Sequence, residues 1–138
     1  MSVPAARLLR FELRELLLVA MGAVPGALMR WQCAVRLEPL LGGSAGADLL
    51  VNVLGCFLLG ILAGPIPRRT GLWLLGGIGF CGSLTTFSGW ILAVVQLQQR
   101  QQRPLLALLL LLASVLLGLL AAASGLALSR RLFARHRG

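Results

Sequence analysis

The stretch Gly79-Phe80-Cys81-Gly82-Ser83-Leu84-Thr85-Thr86-Phe87-Ser88-Gly89-Trp90 decides how this chain is read. Glycines at 79 and 82 precede four hydroxyl residues and two aromatics, all inside a long apolar segment. In a bilayer an unpaired backbone amide costs several kcal/mol, so a helix broken there must face protein or a water-filled cavity. None of these residues is charged. Neutral donors and freed backbone carbonyls at a helix break suit a small ion.

The rest of the chain supports a membrane setting. Of 138 residues, 58% are hydrophobic, and the mean hydropathy is +0.89. A spanning helix needs about 20 mostly apolar residues. Four segments meet that need, at 16–35, 47–65, 72–97 and 105–128. The expectation is an all-α integral membrane protein of one domain, 1–138, with the third helix broken mid-membrane. Arg30 near the far end of the first span, and no convincing cleavage site after it, argue against a cleaved signal peptide.

All 13 basic residues are Arg. Four spans place both termini and the Arg68-Arg69 loop on one side, with nine arginines there against four at Arg30, Arg36, Arg100 and Arg103. That bias puts the termini in the cytoplasm. The clusters flank spans and suit anionic lipid, not nucleic acid.

Carboxylates occur only at Glu12, Glu15, Glu38 and Asp48, all close to span ends. Asp48 is expected at the start of the second span, against the positive end of the helix dipole. The single His136 lies in the tail, and no nucleophile–base pair or metal-ligand spacing is present, so an enzyme is not expected. Cys33, Cys56 and Cys81 read as small buried hydrophobes. Asn52 is the most polar side chain within a span and serves either function or interhelical bonding. Arg30 is either a snorkelling side chain or the positive wall of an anion vestibule.

Three motifs resemble the Fluc-type (CrcB-type) fluoride channels. They are Gly22-Ala-Val-Pro-Gly-Ala-Leu-Met-Arg30-Trp31, Leu50-Val-Asn52-Val-Leu-Gly55, and Gly79 through Ser88. The resemblance implies an antiparallel, dual-topology dimer in the cell (inner or plasma) membrane, passively exporting toxic fluoride. It makes Asn52 and Phe87 pore-lining, with Ser88 beside the pore. It assigns a structural Na⁺ to the backbone carbonyls of Gly82 and Thr85 at the dimer interface.

The chain also departs from that pattern. The family continues Phe-Ser-Thr-Phe-Ser with a Glu soon after; here Gly89, Trp90 and Ala93 occupy those places. Trp90 thus takes the second pore phenylalanine's place, and Ser114 is the surviving polar position of span four. A homodimer inserting both ways should show nearly balanced arginines; the lopsided count and these departures would both follow if the chain were one half of a heterodimer, and homodimer and heterodimer stay open as alternatives. The alternatives are a proton-coupled exporter of the small multidrug-resistance type, which needs an embedded carboxylate, and a non-conducting membrane subunit.

Overall fold

The computed structural model describes residues 5–64, 71–100 and 102–134. The turn expected at Pro65, Pro67, Arg68 and Arg69, and the tail residues Arg135, His136 and Arg137, lie outside the described residues.

Among the described residues five helices follow one another. Helix α1 (Ala5–Leu37) runs through Pro25 and begins well before the expected span. Gly42 (φ 73°) and Gly43 (φ 127°) then make the turn into α2 (Ser44–Ala63), in backbone conformations that favour glycine. Helix α3 is a wide π-helical run, Trp73–Cys81, continued by Gly82–Leu84. After an interruption, α4 (Ser88–Val95) passes into a second π turn, Gln96–Arg100. Helix α5 (Pro104–Ala134) opens on a proline, whose missing N–H costs nothing at a first helical position. Four helical segments are long and apolar enough to cross a membrane: Leu9–Leu37, Ser44–Ala63, Trp73–Gln99 and Pro104–Leu132.

The break does not fall on the glycines. Gly79 and Gly82 stay helical; Thr85 turns extended (φ −83°, ψ 147°), and the chain is non-helical over 85–87. Gly79 serves packing instead, together with Gly22 on α1. A Cβ at Gly22 would overlap the Leu75 carbonyl, and one at Gly79 would lie 2.5 Å from the Val19 carbonyl. Helices α1 and α3 therefore touch backbone to backbone, the small-residue solution to packing where lipid supplies no hydrophobic drive.

The α2–α5 pair is built the same way. A Cβ at Gly60 would overlap the Ala122 carbonyl, and one at Gly125 the Phe57 carbonyl. Gly125→Leu is expected to cost about 1–3 kcal/mol or more by overpacking, read as a lowered melting temperature in detergent. Gly118→Ala is the control, because its Cβ would meet only Cys56 Sγ, at 3.5 Å. Equal melting of both variants would remove the close crossing from the account.

The buried core among the described residues is small, and Val51, Cys81, Leu84, Trp90, Ala93 and Val94 form much of it, on α2, α3 and α4. Cys81 matches its expected role as a buried hydrophobe, whereas Cys33 and Cys56 are only partly covered. Burial reaches 33% of the third span's apolar window but only 6% of the fourth's, so α5 turns most of its leucines outward.

Candidate functional site

A helix that stops at Leu84 orphans its last carbonyls and the first amides of the next helix. Each needs a partner, because buried backbone groups are costly to leave unpaired. Asn52, on α2, supplies two of these bonds. Its Nδ2 donates to the Thr86 carbonyl and its Oδ1 accepts from the Thr86 amide, both at 2.9 Å. The Asn side chain thus imitates a strand partner for one residue. It also takes the Thr86 N–H away from the Gly82 carbonyl, its α-helical acceptor.

Hydroxyls secure the flanks. Thr85 Oγ1 donates to the Cys81 carbonyl at 3.0 Å, and the Thr85 amide reaches the same oxygen at 3.0 Å. Ser83 Oγ lies 2.8 Å from the Gly79 carbonyl and 2.9 Å from that of Ala23, tying α3 to α1. Ser88 Oγ and Thr86 Oγ1 are 3.0 Å apart on the exposed side of the link.

The link opens onto a cavity of about 250 Å³. Asn52, Thr85, Thr86, Phe87, Trp90 and Ser114 line it, with Cys56, Val115 and Gly118 forming the remaining wall. No carboxylate and no cation stands among these residues. Phe87 is 71% exposed, and its ring centroid lies 5.1 Å from that of Trp90, tilted by 56°. Trp90 is buried, and its Nε1–H donates to Ser114 Oγ. Ser114 in turn donates to the Leu110 carbonyl at 2.7 Å.

The structure therefore brings together Asn52, Thr85, Phe87, Trp90 and Ser114, from three helices and the link. Ser88 lies beside the cavity, bonded to Thr86, without lining it. Gly82 is exposed, away from the cavity. Arg30 lines no part of the cavity either. Its guanidinium pairs with Asp48 and donates to the Leu84 carbonyl at 3.1 Å. Asp48 corrects the sequence reading in turn. It is the fifth residue of α2, not a first-turn residue, and its carboxylate is committed to Arg30 and not to the helix dipole. Sequence reasoning also missed Cys56, Val115 and Gly118 as lining residues; they are apolar or small, and only their positions, one turn from Asn52, next to Ser114 and one turn from Ser114, signal them. Among the described residues no group of three His, Cys, Asp or Glu side chains is placed to hold a metal ion.

The profile of the CrcB-like proteins, described as Camphor Resistance (CrcB), matches residues 17–126. The chain belongs to that family. It is 56% identical over 127 residues to the fluoride-specific ion channel FluC 2 of Parasynechococcus marenigrum (strain WH8102), covering 91% of this chain and 88% of the relative. It is 52% identical to FluC 2 of Synechococcus sp. (strain CC9605), over 90% of this chain and 87% of the relative. Identity to a protein named FluC 1, from Synechococcus sp. (strain CC9902), is 40% over 80% of this chain and 90% of the relative. Together with four helices long and apolar enough to span among the described residues, the family makes this a multi-pass membrane protein.

Proposed function

We propose that this chain is a subunit of a fluoride-selective channel that lets fluoride leave the cell passively across the plasma or inner membrane, relieving fluoride toxicity. The observation that carries the reading is the link at 85–87. It is fastened by a neutral amide and opens on a cavity lined with amide, hydroxyl, indole and phenyl groups. Fluoride must exchange its hydration for donors and leave again, which calls for weak, successive contacts. The positive edge of the exposed Phe87 ring offers one without a full charge. The relatives' names, fluoride-specific ion channels, point the same way.

The exporter alternative needs a carboxylate on the path, and none lines this cavity. Glu15 borders a separate recess with Glu12 on α1. A non-conducting subunit would use the Asn52–Thr86 bonds to hold the link but has no need of the polar-lined cavity beside it.

In this reading the link, close to the middle of the 27-residue third span, lies mid-membrane. Two subunits insert antiparallel and cover one another's outward apolar faces. The carbonyls of Gly82 and Thr85 suit Na⁺ at their interface. The Gly82 carbonyl has lost its usual N–H partner to Asn52, and the extended Thr85 turns its own carbonyl out of line with those of α3. Unwound carbonyls of this kind are cation ligands. Bound there, Na⁺ supplies a fixed positive charge at the centre of the pair.

The partner is either a second copy or a related subunit of opposite orientation. The arginine bias favours the second arrangement, as do the FluC 1 and FluC 2 proteins named side by side in P. marenigrum strain WH8102, to which this chain is 37% and 56% identical.

Purified protein in liposomes, followed with a fluoride electrode, tests the function. Fluoride efflux far above chloride efflux is expected, from the chain alone or with a FluC 1-type partner. Equal passage of both anions, or of neither with or without the partner, rejects the proposal. Robust efflux from the lone product removes the need for a partner.

A further inference from the structure

The group formed by Arg30, Asp48, Leu84 and Gly89 lines no part of the cavity, yet it meets the α3 end of the link. Arg30 on α1 reaches both the Asp48 carboxylate on α2 and the Leu84 carbonyl, the last of α3. The two charged side chains are 20% and 12% exposed, so the pair is largely withdrawn from solvent. Gly89, in the first turn of α4, packs directly on it. A Cβ there would stand 2.6 Å from Asp48 Oδ2 and 3.2 Å from Arg30 Nη2.

We propose that the Arg30–Asp48 pair is a positioning clamp for the link at 85–87, and that Gly89 is the clearance the clamp requires. The chain is pinned on both sides of Thr85. Asn52 holds Thr86, and Arg30 holds Leu84. Asp48 keeps the guanidinium there; without the carboxylate, a partly buried cation is left uncompensated and turns away to find water or lipid phosphate. Arg30 and Asp48 touch no ion on the path; they act through the Leu84 carbonyl. Departures from the family pattern become intelligible on this view. A Thr at 89, as the family has, would drive its Cβ into the Asp48 carboxylate.

As it bears on conduction, the clamp rests on the fluoride reading, so the test has a readout independent of transport. Asp48→Asn removes the carboxylate's charge. Gly89→Ala presses the pair apart with both charges kept. Hydrogen exchange on the purified full chain should rise roughly tenfold at the amides of Thr85, Thr86 and Phe87 in both variants, with α5 unchanged, as expected of a local opening. Fluoride efflux per folded subunit should fall by roughly tenfold, because a small displacement at the path is costly. Unchanged exchange at 85–87, a uniform rise through all helices, or failure of both variants to fold would overturn the clamp. If exchange responds as stated while the parent passes no fluoride, the clamp stands and the fluoride reading fails.

Discussion

Asn52→Ala is expected to lower fluoride efflux about 100-fold, the factor that corresponds to about 2.7 kcal/mol lost at the link. The substitution removes one side chain but orphans two backbone groups, the Thr86 amide and carbonyl. Each costs about 1–3 kcal/mol when left unpaired, and more where lipid offers no replacement partner. The link would re-form by pairing with its own helix and would close the cavity that Thr85 and Thr86 line. Asn52→Asp separates geometry from electrostatics. A carboxylate still accepts from the Thr86 amide but cannot donate to its carbonyl, and it sets a negative charge on an anion path. It should therefore conduct no better than the alanine variant. Efflux from liposomes with matched amounts of folded protein reads both. Activity of Asn52→Ala within twofold of the parent would remove Asn52 from the path and from the link.

Residue types at the site were legible in the sequence; their pairings were not. Asn52 stood out because an amide within an apolar span is costly to leave idle, and it lines the cavity. The hydroxyl–aromatic cluster after Gly82 marked the right segment. The sequence leaves the position of the break within it open, because glycine permits both a loosened helix and a close crossing. Gly79 is spent on the crossing, against Val19. The break falls where Asn52 can take over the backbone bonds, two residues before Ser88. Arg30 and Asp48 were each read against lipid, water or a helix dipole. They are 18 residues apart and on different helices, and only the packing of α1 on α2 lets them neutralise one another. Ser114 was found by its polarity alone, since nothing in a leucine-rich helix announces that its hydroxyl meets an indole.

That indole carries the other large prediction. Trp90 stands where the fluoride-channel pattern that the sequence resembles has a phenylalanine, and the structure shows what the larger ring does. Its N–H occupies the Ser114 oxygen, and the Ser114 proton is given to the Leu110 carbonyl, so this hydroxyl has no proton left for an ion. Trp90 itself is only 7% exposed, whereas Phe87 beside it is 71% exposed. Trp90→Phe keeps an aromatic face against Phe87 but removes the N–H and part of the ring. Without that N–H the Ser114 oxygen is no longer held, and the hydroxyl is free to swing its proton from the Leu110 carbonyl toward the path. We expect fluoride efflux to rise by up to about tenfold, the worth of one such donor at about 0.5–1.5 kcal/mol. Thermal stability should fall by about 1–3 kcal/mol, because the space vacated by the indole is only partly refilled. The gain requires the Ser114 hydroxyl. In a Trp90→Phe/Ser114→Ala double variant it should vanish, a non-additivity that marks residues acting as one unit. Efflux that falls in Trp90→Phe, or rises equally with and without Ser114, would mean that the indole shapes the path by its bulk and not by holding that hydroxyl.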